Sequence, residues 1–151
     1  MISVMPLTAD HITAVCQIDS AEQPSVLEAM MAKPAFAGLG IKGGGQWKGF
    51  VYGWCFDGHG EIVQITIAQD NRRQGYGRVL MRSFLDHYDL ASCWLELRAD
   101  NMAAFSLYQS IGFVEDGRRK GYYQSATDDG ARSSAILMQW NRTNNITETV
   151  G

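Results

Sequence analysis

Glu96 and Tyr108 are side chains of a type that can give or take a proton, each set in a largely apolar stretch. Glu96 stands mid-way in "SCWLELR", an apolar run of strand character. A carboxylate there is unusual, because Glu is rarely buried without a partner. The period of two puts Trp94, Glu96 and Arg98 on one face and Leu95 and Leu97 on the other. A pair with Arg98 on the same face would satisfy it and is compatible with catalysis. Tyr108 follows Phe105 and Leu107 on a helical stretch, where a buried tyrosine with a satisfied hydroxyl is the plain reading.

A second kind of chemistry sits upstream. "RRQGYGR", residues 72–78, lies between the apolar run "IVQITIA" and the helix-like run "VLMRSFLDHY". A helix start leaves unpaired N–H groups and about half a positive charge. Glycines let the backbone approach an anion, and arginines add forked donors. A strand, a glycine turn and a helix thus make an anion site or a tight packing turn. The stretch lacks the third glycine of a dinucleotide fingerprint and the Gly-Lys-Ser/Thr of a Walker loop.

The elements that must hold these residues follow from periodicity. Thr8 is expected to cap a helix with Ile12, Val15 and Cys16 inside it. Ser25 is expected to cap a short second helix that Pro34 stops. Residues 35–41 and 47–56 read as strands around a glycine turn, and residues 61–68 as a third strand buried on both faces. Val79, Leu80, Phe84, Leu85 and Tyr88 line one side of a helix over residues 75–88. Residues 92–98 form a strand. Asn101 opens and Gly112 closes a further helix. Residues 113–123 and 133–140 read as a terminal antiparallel pair joined by a polar loop. The order is two helices, three strands, helix, strand, helix, two strands. It implies a mixed α/β fold with one parallel crossover.

Composition bounds the rest. The chain has 151 residues and 46% apolar content, which suits one globular domain. Its net charge of −3 argues against nucleic acid as a direct partner. No apolar run is long enough for a membrane helix, and no signal peptide is evident at the N-terminus. Cys16, Cys55 and Cys93 are odd in number and far apart, as in reduced core thiols of a cytoplasmic protein. No metal spacing is present. His11, His59 and His87 show no partner pattern and are expected on the surface.

Arg72-Arg73-Gln74-Gly75-Tyr76-Gly77 resembles the pyrophosphate loop of the GNAT superfamily of N-acetyltransferases. "WLELRADNMAAFSLYQSIGF" is similar to the most recognisable segment of its RimI group, and "RRKGYY" resembles that group's substrate loop. The likeness covers roughly residues 60 to 140. It implies the GNAT fold, a mostly antiparallel mixed sheet with a central parallel strand pair flanked by helices. Residues 1–140 would form a single such domain, and 141–151 a polar, flexible tail. It implies acetyl-CoA as cosubstrate and no metal. Ile65, Thr66 and Ile67 would offer strand backbone to the cofactor arm, and Arg72, Arg73, Gln74, Gly75, Tyr76, Gly77 and Arg78 would surround the diphosphate. Asn101 would contact the arm or cap its helix. Glu96 would be the general base and Tyr108 the general acid. Tyr122 and Tyr123 would hold the acceptor, a protein N-terminus such as that of a ribosomal protein.

The chain departs from that group in three places. It has no Trp between its first two helices, where "SAEQPSVLEAM" stands. It has Gln69-Asp70 for the usual Asp-Pro, and a shorter span from Gly77 to Glu96. Acetylation of a small-molecule amine and acyl-CoA binding without turnover are the competing implications.

Overall fold

A computed structural model describes residues 1–119 and 134–144 of the chain. Two compact units divide between Leu90 and Ala91.

The first unit is a four-stranded antiparallel meander with helices against it. Strand β1 (Ile2–Pro6) pairs with β2 (Phe36–Gly43), β2 with β3 (Gln46–Phe56), and β3 with β4 (His59–Ile67). Strand β1 was not expected. It precedes a short 3-10 turn capped by Thr8 and helix α1 (Ile12–Ile18). Helix α2 (Pro24–Met31) begins at Pro24 with Gln23 as its cap, not at Ser25. Proline at the first helical position gives up an N–H that would have been unpaired.

The meander has two covered faces. Leu7, Val15, Leu27, Phe50 and Tyr52 form one buried cluster with α1 and α2. Helix α3 (Tyr76–His87) packs on β2, β3 and β4, burying Leu80, Met81, Phe84 and Leu85. The expected stripe is thus turned slightly, with Met81 buried and Val79 at its half-exposed edge. The Tyr88 hydroxyl fixes the far end of α3 to the sheet. It accepts from the Gly38 N–H at 2.8 Å and donates to the Gly38 carbonyl at 3.1 Å.

The second unit holds β5 (Ser92–Arg98), helix α4 (Met102–Ile111), β6 (Val114–Arg119) and β7 (Ala135–Asn141). Strand β7 pairs antiparallel with both β5 and β6. Leu95, Leu97, Tyr108, Ile111, Phe113, Ile136 and Met138 are buried in this unit. The β6–β7 pair was expected. Asn141 ends β7, a 3-10 turn over Arg142–Asn144 follows, and the Arg142 N–H bonds the Ala91 carbonyl at 2.9 Å.

Candidate functional site

Strand β4 brings Ile65, Thr66 and Ile67 to the edge of the glycine loop. It is not buried on both faces as expected. Val63 is 45% exposed, and Ile65, Thr66 and Ile67 are only partly covered. An apolar run reads the same whether its second face is covered or open, so periodicity alone could not decide this. The Thr66 hydroxyl donates to Asp19 at 3.1 Å and accepts from Gln64 Nε2 at 3.0 Å.

Past Ile67 the chain turns through a 3-10 segment, Gln69–Asn71, into the loop. Arg72 Nε donates to the Ile67 carbonyl at 3.2 Å, which folds the loop back on its own strand. Arg73 (φ 65°) and Gly75 (φ 86°) both adopt the left-handed conformation. Glycine takes it without strain, whereas an arginine there costs about 1–2 kcal/mol. Gly75 is the N-cap of α3, and no side chain caps that helix. A Cβ at Gly75 would meet nothing within 4 Å, so conformation rather than crowding selects glycine there. The outcome is a helix start with uncapped N–H groups, a partial positive charge and exposed Arg72, Arg73 and Arg78 around it. That arrangement fits a diphosphate.

In the second unit, β5 keeps Trp94, Glu96 and Arg98 on its open face, with Trp94 41% exposed, Glu96 half-buried and Arg98 exposed. The alternation expected from sequence holds. The Arg98 guanidinium bonds the Asp100 carboxylate at 3.3 Å, a pairing two residues along that sequence reading did not consider. Asn101 caps α4, its Oδ1 accepting from the Ala104 N–H at 3.2 Å, and Gly112 (φ 120°) ends the helix. The amide nitrogen of Asn101 remains available to donate elsewhere.

Tyr108 lies on the buried side of α4, 7% exposed, with its ring 6.1 Å from that of Phe113. Burial pushes its phenol up to about 12. No hydrogen bond to the hydroxyl is found among the described residues, and no fully buried polar side-chain atom there lacks a partner. Tyr122 and Tyr123 lie outside the described residues, as does Lys120.

Sequence reading missed an acidic network in the first unit. The Tyr52 hydroxyl donates to the Glu22 carboxylate at 2.8 Å, and Asp19 holds Thr66 as above. Burial raises the Glu22 carboxyl; the Tyr52 bond lowers it, and nearby Asp19 raises it further. Burial and the Glu22 bond push the Tyr52 phenol well above its usual range. No sequence signal announces the network, since its members lie as far as 47 residues apart. His11 also departs from expectation. Its Nδ1 accepts from the Thr8 N–H at 3.0 Å and its ring lies 5.0 Å from Trp47, whereas His59 and His87 are exposed. All three cysteines are free, and Cys93 alone is fully buried.

Residues 10–113 match the acetyltransferase (GNAT) family. The chain belongs to that family. The GNAT fold expected from its motifs is supported by structure as well. The crystal structure of the ribosomal-protein-S18-alanine N-acetyltransferase from Escherichia coli superposes with a TM-score of 0.83 and 26% identity, over 93% of this chain and 94% of that one. In sequence, the chain is 42% identical to the ribosomal protein bS18-alanine N-acetyltransferase of Escherichia coli K12 over 80 residues, 51% of this chain and 52% of that protein. It thus matches about half the length of that relative. It is 31% identical to the N-alpha-acetyltransferase RimI of Mycobacterium tuberculosis over 110 residues, 70% of each chain. Among the described residues no cluster of His, Cys, Asp and Glu could hold a metal ion, and no helix is long and apolar enough to cross a membrane.

Proposed function

We propose that the protein transfers an acetyl group from acetyl-CoA to the α-amine at a protein N-terminus, a ribosomal protein being the substrate class its relatives suggest. The reading is supported most by the likeness to an N-alpha-acetyltransferase over 70% of both chains. Residues 1–140 act as one catalytic domain, with 141–151 as a polar tail, in the cytoplasm.

Ile65, Thr66 and Ile67 present backbone groups to the cofactor arm, and Arg72 through Arg78 with the start of α3 neutralise the diphosphate. Asn101 donates its free amide to the arm while capping α4. The amine nitrogen attacks the acetyl carbon and the carbon–sulfur bond breaks, with no covalent enzyme intermediate. Negative charge building on the acetyl oxygen is met by the Ile67 N–H. Glu96, directly or through one water, takes the amine proton. Tyr108, still protonated at every physiological pH, gives the departing sulfur a hydrogen bond and its proton. Tyr122 and Tyr123 grip the acceptor.

The substrate class follows from amine chemistry. An α-amine with a pKa near 8 is about one-tenth neutral at pH 7, whereas a lysine amine is neutral only to about one part in a few thousand. A half-buried carboxylate on an open strand face is an adequate base for the first. The test is a competition assay with labelled acetyl-CoA, offering peptides with free N-terminal alanine beside N-blocked lysine peptides and spermidine. Label should go to the α-amines at a much higher rate. Equal or faster labelling of the polyamine would replace this reading with a small-molecule acetyltransferase.

A further inference from the structure

We propose that Lys48 is a further cofactor-binding residue, its ammonium meeting a phosphate at the nucleotide end of acetyl-CoA. The inference rests on the assignment of the glycine loop to that cofactor.

A strand alternates its side chains, so Lys48 should share a face with Phe50 and Tyr52, in the cluster under α1 and α2. It does not. In the β2–β3 ladder Ile41 faces Gly49 and Lys42 faces Trp47, which leaves Lys48 as the extra residue of a bulge. A bulge re-aims the side chains around it. Trp47 therefore turns to the α1 side, where it meets His11 and carries the Lys42 ammonium 4.9 Å above its ring. Lys48 turns the other way, toward the start of α3.

Gly43 shows where it arrives. A Cβ on Gly43 would lie 2.9 Å from the Tyr76 hydroxyl and 3.3 Å from Lys48 Cε. Tyr76 is the first residue of α3 and part of the glycine loop. The glycine thus gives room for Lys48 and Tyr76 to converge on one spot beside the loop. The Lys48 carbonyl also accepts from the Ala68 N–H at 2.8 Å, which ties its backbone to the segment leading into the loop.

The charge around Lys48 makes an anion the fitting occupant. Lys48 is half-buried, and among the described residues no carboxylate or other hydrogen-bond acceptor pairs with it. Its neighbour across Gly43 is Tyr76, at the positive end of α3. Partly desolvated like charges repel unless an anion joins them. Lys42, by contrast, has an aromatic partner and needs none.

Calorimetric titration of acetyl-CoA into the wild type, Lys48→Met, Lys48→Arg and Gly75→Asp tests this. Lys48→Met should weaken binding by about tenfold at 0.1 M salt, as expected for a lost charge-assisted contact. Lys48→Arg should stay within about threefold. The Met defect should shrink at 1 M salt, where screening extends to only about 3 Å. Its thermal midpoint should match the wild type. Unchanged affinity in Lys48→Met beside a weakened Gly75→Asp would overturn the role of Lys48 and leave the loop standing. Unchanged affinity in both would sink the loop assignment itself. In the wild type, saturating CoA should protect Lys48 from an amine-acylating reagent read by mass spectrometry. Undiminished labelling overturns the inference whatever the variants do.

Discussion

The start of α3 and the face of β5 differ in the physics that their proposed roles would use. At α3 the groups proposed to bind the cofactor are main-chain N–H donors, and Gly75, the residue that would matter most, has no side chain. Its role lies in a left-handed φ of 86° that lets the helix begin uncapped. At β5 and α4 the helix is capped at both ends, and the groups proposed to act are one carboxylate, Glu96, and one phenol, Tyr108. Binding a polyanion calls for many weak, fixed donors spread over its surface. Moving a proton calls for one group at one place with a suitable pKa. The two regions should therefore fail in different ways when altered.

The largest expected loss is in the proton-moving region. Glu96→Gln keeps the shape and removes the proton acceptor, so kcat on an N-terminal peptide should fall by about 10²-fold at pH 7. That loss should shrink above about pH 8, where the α-amine arrives neutral. A pH–rate profile on one peptide measures it, and a loss that is constant with pH would mean that Glu96 positions rather than accepts.

Gly75→Asp comes next. It places a carboxylate and a strained φ at the helix start, and acetyl-CoA affinity by calorimetry should weaken by about tenfold or more. Gly75→Ala separates the two causes, since a Cβ there meets no neighbour and adds strain alone. Its loss should be smaller than that of the aspartate.

Tyr108→Phe should lower kcat by about tenfold. The wild-type phenol is held up to about 12 by burial, so it remains an acid throughout the assay range. The loss should accordingly stay flat from pH 6 to pH 9, unlike that of Glu96→Gln. It should shrink with a thioester whose thiol is more acidic. Pressed into alkali, the same shift has a stability consequence. A phenol raised in the folded state supports folding fully below the unfolded value near 10, and that support is lost as pH rises through about 12.

The smallest effect concerns the acidic network. Tyr52→Phe strips the donor from the Glu22 carboxylate and should cost about 1 kcal/mol in urea unfolding at pH 7. The Tyr52 bond lowers the Glu22 pKa, against a net upward shift set by burial. The bond therefore supports the charged form, and the cost of losing it should fade as pH drops through the carboxyl titration. A cost unchanged at pH 4 would show that the lost bond is not to the carboxylate.

How much of this was legible in sequence follows the range of the interactions. Helices α3 and α4, the Asn101 cap, the Gly112 stop and the alternation of β5 depend on residues a few positions apart, and all were readable. The glycine loop was readable for the same reason, because its φ requirement is local. Strand β1 was not, since five residues carry too short a pattern and the strand exists through its pairing with β2, from Pro6 with Leu39 to Ile2 with Gly43. The aim of Lys48 depends on a register shift between two strands, and the hold of Asp19 on Thr66 spans most of the first unit. The open face of β4 was misread because an apolar run reads the same whether its second face is covered or open.

The division between the two regions can be tested directly by measuring acetyl-CoA affinity and kcat side by side for Gly75→Asp and Glu96→Gln, using one N-terminal peptide and folding checked by circular dichroism. The account predicts that Glu96→Gln keeps the wild-type affinity within about twofold while kcat falls by about 10²-fold. Gly75→Asp should instead lose affinity by about tenfold or more. Affinity lost in Glu96→Gln, or retained in Gly75→Asp, would contradict it.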